Sequence, residues 1–126
     1  MIAREAALVR SMLLYARSLG CFAMKNHGGP YSLVGFPDLT MLIPLQPHAL
    51  VLFVEAKQPG KYPTLLQAKM LRDLYAAGAA VLVAHSGKEV AECIKSLLAG
   101  ASVAAVSAPA LQLSTESRVK KKRGSP

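Results

Sequence analysis

The chain has only two cysteines. Cys21 and Cys93 stand far apart, with no C-x-x-C pair and no histidine at zinc spacing. That excludes a zinc finger and a disulfide framework and points to two reduced thiols in a protein of cytosolic type. No apolar run reaches the ~18 residues that suggest a membrane span. Arg4, Glu5 and Arg10 interrupt the N-terminus, and no small-residue cleavage site follows a clean apolar stretch, so a secretory leader is not expected. Together these absences lead to the expectation of a cytoplasmic, intracellular protein. No internal repeat is present. Acidic residues are scarce as well, seven against fifteen Lys and Arg.

What is there suits one compact unit. A length of 126 residues allows one domain with one core, and 52% apolar content supports a globular fold. The net charge of +8 is unevenly spread. Arg118, Lys120, Lys121, Lys122 and Arg123 supply five of the fifteen basic residues, so the chain before them is only mildly basic. From Ala101 onward small residues, Pro109 and Ser/Thr dominate. The expectation is a domain over 1–100 and a flexible basic tail over 101–126. Such a tail suits salt-sensitive attraction to nucleic acid through Lys120, Lys121, Lys122 and Arg123. It equally suits a solubilising terminus or a nuclear-localisation-like run.

Periodicity predicts a helix over 3–19 stopped by Gly20, and a strand over 21–25. Strands are also expected over 39–43 and 50–54, each apolar on both faces and therefore buried on both sides. Thr64 opens a helix to about Ala77 through a Thr-x-x-Gln capping box. A fourth strand runs to Ala84, and Ser86-Gly87-Lys88-Glu89 reads as a second capping box before a helix to about Ala99. Val90, Ile94, Leu97 and Leu98 form the apolar face of that last helix. The order predicts an α/β fold, a mixed four-stranded sheet flanked by helices in an αβββαβ core plus a C-terminal helix.

The chain's chemistry gathers around Gly35-Phe36-Pro37-Asp38 and Glu55-Ala56-Lys57. A hairpin centred on Gln46-Pro47 pairs Leu42 with Val51, Thr40 with Phe53 and Asp38 with Glu55. Alternation along the strand puts Glu55 and Lys57 on one face and turns Ala56 away. Two carboxylates ~4 Å apart repel by roughly 4 kcal/mol at an effective dielectric of about 20. A divalent cation offsets that cost, and hard oxygen ligands suit magnesium or manganese. A nearby lysine orients a water or neutralises charge on a phosphate. The same residues also suit a strand end with an ordinary Glu–Lys pair beside a turn Asp.

This ordered set, G-x-P-D, then E-x-K, then a helix carrying Gln67, resembles the PD-(D/E)XK nuclease superfamily. Within it the chain is most similar to the VRR-NUC group of small, often stand-alone domains, over about residues 4–97. The resemblance implies a restriction-endonuclease-like core and a magnesium-dependent deoxyribonuclease, with manganese as a substitute. It implies Asp38, Glu55 and the Ala56 carbonyl as metal ligands and Lys57 as the residue that positions the attacking water. Gln67 would stand near that lysine, although the capping box alone explains it. Glu5 would face the metal, although an acid in a first helical turn also suits the helix dipole. Lys25 and Lys61 are candidate DNA contacts or solvated lysines. His27, beyond the first strand, is a weaker candidate, and the Gly and Pro in the link up to Gly35 let a ligand approach closely or mark only a turn. The products would carry a 5′-phosphate and a 3′-hydroxyl. A homodimer acting on branched DNA such as Holliday junctions is expected by analogy. A non-catalytic DNA-binding module on the same fold and a general DNA-trimming nuclease are the competing readings.

Overall fold

The computed structural model describes residues 2–28 and 33–112. Helix α1 (Ile2–Ser18) leads into β1 (Phe22–Lys25), β2 (Leu39–Ile43) and β3 (Leu50–Ala56). Helix α2 (Leu65–Ala76), β4 (Ala80–Ala84) and α3 (Gly87–Leu98) follow. A last helix, α4, covers residues 103–112. The sheet order is β1-β2-β3-β4, antiparallel except for the parallel β3–β4 pair that α2 connects. The mixed four-stranded α/β architecture expected from the sequence is therefore the one observed.

Strand alternation sets the layers. Leu39, Met41 and Ile43 of β2 and Leu52, Val54 and Ala56 of β3 face α1 and α3, where Val9, Met12, Ala16, Val90, Ile94 and Leu97 complete the main core. On the opposite face Leu71 of α2 packs with Val81 and Val83 of β4, with Phe53 beside them. Helix α2 thus covers β3 and β4, and leaves the outer face of β1 and β2 open. That corrects the expectation that the strand over 39–43 is buried on both sides: Thr40 is half-buried and Leu42 is exposed, while on the same face of β1 Phe22 is 63% exposed. Leu98 likewise turns outward, and Ala91 takes a place on the buried face of α3. Arg72 of α2 is half-buried, and its Nη1 has no partner among the described residues.

Helix α4 corrects the flexible-tail expectation for residues 103–112. Ser102 caps it, its hydroxyl accepting from the Ala105 N–H at 3.0 Å. The helix lies along the edge of β4 and touches both layers: Val103 and Val106 reach the main core, while Ala110 and Leu111 join Leu71 and Val83. The fully buried Ser107 hydroxyl accepts the Val81 N–H at 3.0 Å. An edge strand presents unpaired donors, and this bond satisfies one of them where water does not reach. The remaining tail, with Lys120, Lys121, Lys122 and Arg123, lies outside the described residues, as do residues 29–32 of the link before Gly35. No helix among the described residues is long and apolar enough to cross a membrane.

Candidate active site

The β2–β3 register is the one that counting predicts: Leu42 pairs with Val51, Thr40 with Phe53 and Leu39 with Val54. One step further, Asp38 stands opposite Glu55. Three hydrogen bonds fix the strand ends there. The Asn26 N–H donates to the Asp38 carbonyl at 2.8 Å, and the Lys57 N–H to the Ala84 carbonyl at 3.0 Å. The Ala56 N–H donates to Asp38 Oδ2 at 2.8 Å, so the carboxylate itself spans the two strands.

The motif before Asp38 has a physical reading at each residue. Gly35 has φ +80°, and a Cβ built there would lie 2.9 Å from the Leu66 carbonyl carbon and oxygen and 3.1 Å from the Gln67 nitrogen. Only glycine lets the loop lie this close to the first turn of α2. Phe36 meets Phe53 edge to face, with centroids 5.4 Å apart at 81°, a contact worth about 0.5–1.5 kcal/mol beyond burial. Pro37 is buried. The Asn26 side chain closes the clasp, its Nδ2 donating to the Pro37 carbonyl at 3.0 Å and its Oδ1 accepting from the Thr40 hydroxyl at 2.9 Å.

Glu55 is 2% exposed, and Lys57 Nζ lies 3.5 Å from its Oε2. Burial first, then the Asp38 charge, pushes Glu55 up to about 8 against the pull of Lys57. Burial also raises Asp38, aided by Glu5 and opposed by the Ala56 hydrogen bond and by Lys57 and Lys25. One lysine does not offset two carboxylates held this dry. The donor set fits a hard divalent cation: two carboxylates together with the Ala56 carbonyl. A strand residue turns its N–H and C=O to the same side, and the Ala56 N–H already points at Asp38. Among the described residues no three His, Cys, Asp or Glu side chains cluster as a metal site. Glu5 is exposed on α1, and with Lys25 and Asp38 it lines a cavity of about 300 Å³. Neither cysteine offers a nucleophile, since burial raises both thiols, Cys93 to about 12.

The remaining sequence candidates divide. Lys25 comes to the site, and Lys61 is exposed in the loop beyond β3. Gln67 makes the capping box, its Oε1 accepting from the Thr64 N–H at 2.9 Å and its own N–H donating to the Thr64 hydroxyl at 3.2 Å. It also lines, with His27 and Asp38, a larger cavity of about 550 Å³. The second capping box is changed: Ser86 accepts from the Glu89 N–H at 3.1 Å, but Glu89 Oε1 accepts from the His85 N–H at 2.8 Å.

Sequence reasoning gave His85 no role. Its Nδ1 lies 2.9 Å from the Lys57 carbonyl, which can only accept, so the ring donates there. His85 thereby holds the backbone of the site lysine. The only trace in the sequence is its place at the end of a strand. The parallel register that sets Ala84 beside Ala56, and so His85 beside Lys57, is not written locally. Asn26 is not legible either, because its clasp of Pro37 and Thr40 depends on the pairing of β1 with β2 and on the loop between them.

No protein-family model and no curated protein matches the chain. A solved structure described as a VRR_NUC domain is similar to it, with 26% identity and a TM-score of 0.59. The match covers 72% of this chain and 94% of that one.

Proposed function

We propose that this chain, a VRR-NUC nuclease-like domain with a restriction-endonuclease-like fold, is a magnesium-dependent deoxyribonuclease that hydrolyses phosphodiester bonds. One observation carries the reading: Asp38 and Glu55 stand opposite each other at a strand end, Glu55 almost fully buried, and the nearby lysines Lys57 and Lys25 do not outweigh that burial. A buried like-charge pair is costly to keep, and a cation removes the cost. Asp38, Glu55 and the Ala56 carbonyl would hold magnesium, and manganese would substitute. Bound there, the ion would act as a Lewis acid on the phosphoryl group.

The chain's own residues do the rest. The Lys57 ammonium donates to the attacking water, fixes it in line with phosphorus, and offsets charge gathering on the phosphoryl oxygens. His85 steadies that lysine from its carbonyl. Gln67, which lines the larger cavity, would orient groups at the site from there. Glu5 would serve a second cation or hold water from the far wall of the smaller one. Water adds to phosphorus as the bond to the 3′ oxygen breaks. The products are a 5′-phosphate and a 3′-hydroxyl, which takes up a proton. Lys25 beside the site, Lys61 in the loop and the basic run Lys120, Lys121, Lys122 and Arg123 would contact the DNA backbone.

Branched DNA, such as a four-way junction, is the proposed substrate, cut by a homodimer. Two small domains supply the paired sites that such a shape needs. The open outer face of β1 and β2, with Phe22 exposed, is apolar surface available to a second copy. The test incubates labelled junction, flap, duplex and single-stranded DNA with the protein in magnesium, manganese or chelator. Metal-dependent cutting with junctions preferred supports the full reading. Equal cutting of all four retains the nuclease and removes the junction preference. Binding without cutting under every metal reduces the chain to a DNA-binding module.

A further inference from the structure

The larger cavity, about 550 Å³, meets the carboxylate pair at Asp38 and extends away from it. It shares Asn26, Gly28 and Asp38 with the smaller cavity, where Glu5 and Lys25 lie, so the two adjoin at these residues. Their chemistries differ. The smaller cavity is lined by Glu5, Lys25 and Asp38, a charged setting for a cation and a phosphate. Of the described residues lining the larger one, only Asp38 is an acid and none is Lys or Arg. Its walls carry Met24, Leu33, Phe36 and Pro37, and Met24 and Leu33 are 42% and 65% exposed. Apolar side chains left this wet gain from a flat, neutral partner.

We propose that this cavity takes the unstacked base of a nucleotide bordering the phosphodiester to be cut, an inference that rests on the nuclease reading above. A volume of this order matches sites for ligands of nucleotide size. The polar groups are placed for a base edge. Gln67 Oε1 is committed to the Thr64 N–H, which leaves its amide N–H₂ to donate. The Asn26 amide is fixed at both ends by Pro37 and Thr40. Every base carries a ring acceptor or carbonyl, so such donors accept any sequence, while the apolar wall supplies the face contact. A base inside a continuous duplex cannot reach this pocket without leaving the stack, and the cost is least where pairing is already broken. The cavity therefore selects DNA with an unpaired nucleotide beside the cut, which is the local feature that branches, flaps and frayed ends share.

The test uses the full chain carrying Lys57→Ala, so that strands stay intact in magnesium. It compares oligothymidylate with an abasic strand of equal length and charge. We expect the side-chain amide resonances of Asn26 and Gln67 to move with oligothymidylate and to stay in place with the abasic strand. Met24→Ser, at an exposed position and without added charge, should weaken oligothymidylate binding about tenfold and leave abasic binding unchanged. Leu14→Ser, at a more exposed position on α1, should change neither. Equal binding of both strands, or amide resonances that respond alike to both, overturns the base site. The two readings fail separately. Base-selective binding by a wild-type chain that cuts nothing removes the nuclease and keeps a base-binding cavity. Cutting by a wild-type chain whose cavity ignores the base keeps the nuclease and removes this proposal.

Discussion

At the scale of single residues, Glu55 carries the clearest consequence. Its ordinary value is 4.5 and its folded value about 8. Between those pH values the folded state holds a proton that the unfolded state has lost. Stability in chelator is therefore full below about pH 4.5 and is lost as pH rises through about 8. Asp38 is raised too and acts in the same direction. The loss is on the order of a few kcal/mol. Glu55→Gln should flatten much of that fall, so melting temperatures in chelator from pH 5 to 9 should decline less in the variant. Added magnesium should raise the wild-type melting temperature most at the alkaline end and leave Glu55→Gln nearly unmoved. Equal pH profiles for the two proteins would remove the buried carboxylate from the account. Gly35 makes a second prediction. Gly35→Ala must strain a positive φ and press a methyl against the α2 backbone, at a cost of about 1–3 kcal/mol. The urea midpoint should fall, and cleavage with it, because the loop carries Asp38. An unchanged midpoint would mean that the loop moves freely off α2.

At the scale of elements, the strands around the site were readable and the last helix was not. Counting across Gln46-Pro47 gave the register that sets Asp38 against Glu55, because a two-fold period leaves a hairpin few alternatives. Thr64 and Gln67 announced α2 by a bond pattern confined to one turn. Helix α4 does carry a stripe, Val103, Val106, Ser107, Ala110 and Leu111, at helical spacing. Small residues and Pro109 concealed it, since a hydrophobic pattern built on valine, serine and alanine is faint. Its stability comes from the β4 edge it covers, which local sequence does not contain. Ser107→Ala should cost about 1–3 kcal/mol by leaving the buried Val81 N–H without its acceptor. Chemical denaturation measures that loss. A cost near zero would mean that the β4 edge needs no cover from α4. The outer face of β2 was misjudged for a related reason: apolar residues on both sides of a strand reveal its composition, not which helix reaches it.

At the scale of the molecule, the site is assembled from β1, the loop before β2, the ends of β3 and β4, and the start of α2. The two carboxylates and the lysine were legible because they sit on two adjoining strands. His85 and Asn26 were not, because their roles depend on the parallel pairing of β3 with β4 and on the clasp of a loop. On the proposed function, one buried acid, one half-buried acid and one lysine at a sheet end, beside a largely apolar cavity, would serve phosphodiester chemistry. The most direct test is the rate of DNA cleavage in magnesium by wild type and by Lys57→Ala, at protein concentrations that saturate the substrate. The account predicts a loss of at least about a hundredfold in rate with DNA affinity nearly unchanged, as befits a group acting in the transition state. Cleavage by Lys57→Ala at the wild-type rate would contradict it.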